Sequence, residues 1–193
     1  MRIVTGKHRG RRLVTPSDRT IRPTSDRIRE AIFDILAHRL FAGRFDGAIV
    51  LDVFAGTGAM GCEALSRGAA RATFLDSESA AIRLVEQNVR HLGEAENVLV
   101  LRRDATRPGK APLPHDLVFT DPPYRSGLAP AALQALAQER WLAPGALVVL
   151  ELASDETPEP PTGFTEIDQR RYGGTTVHFW RWGQPVSDAR SVS

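Results

Sequence analysis

From Ala48 to Leu152 the chain alternates between short apolar runs and longer stretches in which apolar residues return every three or four positions. The runs Ala48–Phe54, Arg71–Asp76, Asn97–Leu101, Asp116–Thr120 and Ala146–Leu152 predict buried strands. Between them, helices are predicted over Ala59–Arg67, closed by Gly68, over Ser77–Leu92, and over Leu128–Glu139. The second carries Ala81, Ile82, Val85, Val89 and Leu92 on one face and stops at Gly93. Upstream, Ile28, Ala31, Ile32, Ile35, Leu36 and Leu40 form the stripe of another helix. Pro23 holds its approach extended, Thr24 or Ser25 can cap it, and Asp26 favours its first turn; Arg27, Arg29 and Arg39 lie off the stripe. A proline-rich loop (Pro108, Pro112, Pro114), a turn at Pro144-Gly145 and a loop over 154–163 interrupt the pattern. Phe164–Arg171 and Thr175–Trp182, joined across Gly173-Gly174, read as an antiparallel hairpin. Strands that alternate with helices imply an α/β, Rossmann-like fold: a mostly parallel seven-stranded sheet, helices on both faces, and the terminal hairpin at one edge.

Ahead of this frame, residues 3–15 alternate loosely and predict a short hairpin with Lys7, His8, Arg9, Arg11 and Arg12 around its turn. Two strands are marginal alone, so this arm must lean on the main body. The expected division is a basic arm (1–20), a main domain (21–182) and a disordered tail (183–193). The 193 residues, 42% of them hydrophobic, suit that plan. Net charge is only +2, yet the first 30 residues hold nine Lys/Arg against three acids, a balance of +6 that leaves −4 for the rest. A basic arm on a mildly acidic body points to an anionic partner such as nucleic acid, with Arg22, Arg27 and Arg29 extending the basic surface. No apolar run approaches the roughly 18 residues that cross a bilayer, so no membrane partner is expected. Met1–Lys7 lacks the apolar core of a signal peptide, and the single cysteine, Cys62, leaves no internal disulfide; both fit a cytoplasmic location.

The candidate chemistry begins where the first strand breaks, at Phe54-Ala55-Gly56-Thr57-Gly58. Gly56-Thr57-Gly58-Ala59-Met60-Gly61 matches G-x-G-x-x-G, and Asp76 closes the next strand, followed by Ser77. That pairing describes backbone close to a cofactor and a carboxylate on its sugar, without separating a dinucleotide from S-adenosylmethionine (SAM). Asp52 tips the balance toward SAM. A carboxylate four residues before the first glycine repels a pyrophosphate and attracts the ammonium and sulfonium of SAM. Asp104, with Ala105 after it, ends the third strand where it can reach an adenine amino group. After the fourth strand, Asp121-Pro122-Pro123-Tyr124 joins an acid, a stiff turn without N–H groups, and an aromatic ring. An acid and an outward carbonyl can accept both hydrogens of an exocyclic amine, aiming its lone pair at a methyl while the base stacks on Tyr124. Metal chemistry is not expected, because His8, His38, His91, His115 and His178 are scattered without ligand spacing. Cys62 is expected inside, as a packing residue and not a nucleophile, and Trp180 and Trp182 share one side of the last strand, expected in the core.

Arg22–Glu30, Leu51–Gly58, Glu63-Ala64-Leu65-Ser66-Arg67-Gly68-Ala69 and Asp121–Tyr124, together with the opening basic hairpin, resemble the bacterial RsmD family over Arg2–Trp182. Tyr124 and Asp76 stand where many members have Phe and Glu. The resemblance implies a SAM-dependent methyltransferase acting on guanine N2 in 16S ribosomal RNA, in a small-subunit particle. Rival readings are an N6-adenine methyltransferase of DNA or RNA, a nicotinamide-dependent dehydrogenase, and a non-catalytic RNA-binding assembly factor.

Overall fold

The computed structural model describes residues 1–15 and 26–183. Arg22, the proposed capping pair Thr24 and Ser25, the arm's boundary near residue 20 and the tail from 184 on fall outside the described residues. Seven strands form one sheet in the order β3-β2-β1-β4-β5-β7-β6. These are β1 Ile49–Val53, β2 Arg71–Asp76, β3 Val98–Arg102, β4 His115–Thr120, β5 Leu142–Ala153, β6 Phe164–Tyr172 and β7 Thr175–Trp182. The first five pair in parallel, and β7 runs antiparallel to both β5 and β6. Helices α1 Asp26–Ile35, α2 Ala59–Ser66 and α3 Ser79–Leu92 bury their apolar residues in one core with Phe74, Phe119, Val149 and Phe179. Helix α4 Leu128–Gln138 covers the other face, on a core of Leu51, Val118, Leu150, Trp141 and Trp180.

Three elements depart from the sequence pattern for local reasons. Helix α3 starts two residues late because Asp76 Oδ1 accepts the Glu78 N–H at 2.8 Å, which keeps Ser77 in the turn. Strand β5 starts at Leu142, through the expected turn at Pro144-Gly145. A register shift between His115 and Leu117 absorbs the proline, which has no N–H for the ladder. In α1 the buried face is Arg29, Ile32 and Phe33, continued by Leu36 in the π-helical turn Leu36–Leu40. Ile28 and Ile35 are only partly buried, so the stripe is rotated from the one that apolarity alone predicts and has an arginine at its head.

The arm forms a hairpin closed by an antiparallel bridge between Arg2 and Arg12, and Ile3 and Leu13 enter the core from it. It docks on the α2 and α3 side through backbone groups. The N–H groups of Val4 and Thr5 donate to the buried Glu63 carboxylate at 2.8 and 3.0 Å, and Lys7 N–H donates to the Ser66 carbonyl at 2.8 Å. Contact there is so close that a Cβ on Gly6 would lie 1.8 Å from the Ser66 oxygen.

Candidate active site

The chain runs outward from β1 through β2 to β3 and then returns to β4 on the other side of β1. Open α/β sheets bind ligands at such a switch point, outside the carboxyl ends of the strands. Val53 and Thr120, the last residues of β1 and β4, are register partners. The loop after Val53 and the turn after Thr120 therefore start about 5 Å apart, on the same edge of the sheet.

On the β1 side, Phe54 takes a left-handed backbone (φ 57°), which is rare and strained for a bulky residue. Gly56 (φ 55°) and Gly58 (φ 73°) complete a tight loop, with Gly58 capping the start of α2. Two buried acids brace it. Asp52 Oδ2 accepts the Gly61 N–H at 2.9 Å, in the first turn of α2. Asp76 Oδ2 accepts the Gly56 N–H at 3.0 Å. Each carboxylate oxygen has two lone-pair directions, so both acids retain acceptor capacity toward the crevice. Ala55 is buried, and its carbonyl accepts the Gly58 N–H at 2.7 Å.

On the β4 side, Pro122 is buried and Pro123 exposed, with Asp121 half-buried between Thr120 and the prolines. The Tyr124 hydroxyl hydrogen-bonds Thr175 Oγ1 at 2.9 Å, which ties the ring to the start of β7. A cleft of about 230 Å3 opens beside the turn, lined by Pro122, Leu128, Ala129, Leu152, Glu156 and Pro158. A larger hollow of about 480 Å3 lies over β6 and β7 and includes no residue of either turn. Charge, not size, marks the site.

Burial pushes the Asp52 carboxyl up to about 8; the Gly61 hydrogen bond opposes this, and the nearby negative charges of Asp121 and Asp76 add to it. Among the described residues no ion pair joins a base to Asp52 or Asp76. Asp52, Asp76 and Asp121 thus bring three acids to one crevice, and among the described residues no ion pair offsets the first two. Such a pocket suits a cationic ligand and is hostile to a pyrophosphate.

The remaining expected residues divide. Asp104 closes a local turn, accepting the backbone N–H and hydroxyl of Thr106 at 2.8 Å each, while Ala105 is buried. Ser77 is exposed at the same edge. In the arm, Lys7 and His8 both pair with the buried Glu94, at 2.6 and 2.5 Å. The Arg11 guanidinium donates to the carbonyls of His91 and Leu92 at the end of α3. Among the described residues of the expected RNA-binding set, only Arg9, Arg12 and Arg27 are exposed and outside any ion pair. Arg29 requires correction: it is fully buried, pairs with Asp26 at 2.9 Å, lies 3.8 Å from Glu63, and donates to the Arg2 carbonyl. No surface of its guanidinium remains for a phosphate. Sequence reasoning also missed Thr175 and Asn88. The first carries no local signal, but Asn88 interrupts the apolar face of α3 between Val85 and Val89, which is a readable one.

Known proteins share the sequence and the fold of this chain. A family model described as "Conserved hypothetical protein 95" matches residues 1–181. Ribosomal RNA small subunit methyltransferase D of Escherichia coli K12 is 40% identical, over 98% of this chain and 94% of its own length. The Haemophilus influenzae protein of the same name is 33% identical over 90% of this chain and 89% of its own. Among solved structures, a putative methyltransferase, yhhF, from E. coli superposes with a TM-score of 0.82 at 34% identity, covering 95% of this chain and 98% of that one. An RNA methyltransferase from Salinibacter ruber bound to S-adenosyl-L-homocysteine shares the fold at 16% identity, with a TM-score of 0.58, over 86% of this chain and 97% of that one. With a family model spanning nearly its whole length and relatives this similar, the chain belongs to the ribosomal RNA small subunit methyltransferase D (RsmD) family.

Proposed function

We propose that this chain transfers a methyl group from SAM to the exocyclic N2 of one guanine in small-subunit ribosomal RNA, presented in a ribosomal particle in the cytoplasm. As a family member the chain is a SAM-dependent rRNA methyltransferase; guanine N2 is the finer part of the reading. The observation that carries it is the Val53–Thr120 register, which sets an acidic loop suited to a cation beside a turn suited to an amine. When bound, SAM supplies an electrophilic methyl on a cationic sulfur.

The chain's own residues do the rest. Asp52 and Asp76 offer negative charge to the ammonium and hydroxyls of the donor. Asp121 and the Pro122 carbonyl accept the two amino hydrogens and turn the nitrogen lone pair out of conjugation. Tyr124, fixed through Thr175, offers a ring for the base, a stack of about 1–3 kcal/mol. Alignment of this kind can contribute about 7–11 kcal/mol to the barrier. The base must leave its own stack to reach the crevice, and the surplus proton passes to Asp121 or to water.

The test is methyl transfer from radiolabelled SAM onto small-subunit particles that lack the modification, followed by mass spectrometry of the nucleosides. N2-methylguanosine is expected. N6-methyladenosine would overturn the assignment of the acceptor, and particle binding without label transfer would leave only an assembly factor.

A further inference from the structure

Asn88 is polar, fully buried, and lies on the face of α3 that packs into the core. Its side-chain amide joins two segments 43 residues apart in the chain, Val14 in the arm and Thr57 in the glycine loop. Oδ1 accepts the Val14 N–H at 2.7 Å, and Nδ2 donates to the Val14 carbonyl at 3.1 Å and the Thr57 carbonyl at 2.9 Å. Both amide hydrogens are thus committed, one to each segment. Thr57 lies between the two left-handed glycines Gly56 and Gly58 and is itself buried, so its carbonyl has no solvent to turn to. Drawing that carbonyl inward sets the rotation of the Thr57–Gly58 peptide, and with it the loop backbone that faces the crevice. The Thr57 hydroxyl adds a weaker tie to the arm, donating to Met1 Sδ at 3.7 Å.

We infer that Asn88 is a positioning residue: it sets the glycine loop for the cofactor and makes that setting depend on the docked arm. The inference rests on the reading of this loop as the SAM site. It follows that the arm, whatever it contributes to RNA binding, also shapes the cofactor pocket from behind. Loss of Asn88 leaves the Thr57 carbonyl and both Val14 backbone groups without partners, a penalty felt in the loop and not at Asp121 or Tyr124.

The experiment measures S-adenosylhomocysteine binding by calorimetry, steady-state kinetics and melting temperature on the full chain. Asn88→Ala is expected to weaken S-adenosylhomocysteine and raise KM for SAM about tenfold, with kcat at saturating SAM within about twofold. Asn88→Asp keeps the volume and the Val14 acceptor but loses both donors, and is expected to bind at least as weakly. Ser66→Ala is the control for a loosened arm, since Ser66 Oγ accepts the His8 N–H and donates to the Thr5 carbonyl at the opposite end of the hairpin. It is expected to lower the melting temperature while binding within about twofold of wild type. Binding by both Asn88 variants within twofold of wild type overturns the inference, as does an equal loss in Ser66→Ala. A readout that needs no variant is hydrogen exchange on the wild type: S-adenosylhomocysteine should slow exchange of the Val14 amide, and an unchanged rate removes the link to the arm. Failure of the wild type to bind S-adenosylhomocysteine at all would instead bring down the underlying reading of the pocket.

Discussion

The crevice and the arm are both dense in charge and dispose of it in opposite ways. In the crevice Asp52, Asp76 and Asp121 converge, and burial with mutual repulsion drives Asp52 to hold its proton. In the arm and the helix after it much of the charge is answered from within: Lys7 and His8 by Glu94, Arg11 by the last carbonyls of α3, and Arg29 of α1 by Asp26 and Glu63. The contrast teaches that a count of charged residues does not locate a binding site. Charge already neutralised by the fold holds structure together, and charge left unanswered marks where a ligand completes the molecule.

The largest effect should come from breaking the answered charge. Arg29→Met leaves Glu63 buried beside Arg67 alone, and losing one partner of a buried pair costs about 3–5 kcal/mol. Chemical denaturation should show that loss, with the salt dependence of RNA binding unchanged; a weaker salt slope in folded protein would return Arg29 to the RNA surface. Next comes Asp121→Ala, expected to cut kcat by about 10²–10³, the range for removing a group aimed at the reacting centre. Calorimetry should find S-adenosylhomocysteine binding within about threefold of wild type, and equal losses in binding and turnover would contradict the role in acceptor positioning.

Asp52 sharpens the comparison through pH. Its native carboxyl titrates near 8 against an ordinary 3.8, so the folded chain keeps a proton that the unfolded chain has released across that window. Stability of the free protein should therefore fall as pH rises from about 4 to 8 and level off above. Cofactor affinity should move the other way, because the ammonium group that the ligand places beside Asp52 favours the carboxylate. Below pH 8, S-adenosylhomocysteine binding should strengthen by up to about tenfold per unit as pH rises, with proton release on binding. Calorimetry in buffers of different ionisation enthalpy measures that release, and Asp52→Asn should abolish it. The smallest effect concerns the exposed arm charges. Neutralising Arg9 and Arg12 should each lower the slope of log affinity against log salt by about 0.7–0.9, while Lys7→Met and Arg11→Met should change it less and stability more. Equal slope changes at all four would erase the distinction between answered and unanswered charge.

Much of the site was legible in the chain. Asp52, Asp76 and Asp121 sit where a strand meets a loop, and strand ends in a parallel sheet all reach one edge, so position along the chain already implies position in the crevice. The arm was legible only as a sum of charges. Its first apolar residues, Ile3 and Leu13, forecast a dock, but which arginines face solvent depends on Glu63, Ser66 and Glu94, more than 50 residues away. Arg29 shows the limit most plainly. Apolar periodicity excluded it from the buried stripe, because no local rule foresees a carboxylate from α2 waiting inside.

By itself, then, the sequence determined what propagates along the chain: the strand–helix alternation, the parallel sheet with its antiparallel end, the glycine loop, and the acids and the Asp-Pro-Pro-Tyr turn at strand ends. Tertiary structure alone decided what depends on partners distant in sequence: the bracing of Tyr124 by Thr175, the burial of Arg29, the sorting of arm cations into answered and free, and the bridge through Asn88. The physical reason is range. Backbone preference and apolar period act between neighbours and are written locally, whereas hydrogen bonds and ion pairs inside the fold are chosen by geometry that exists only after the chain has closed on itself.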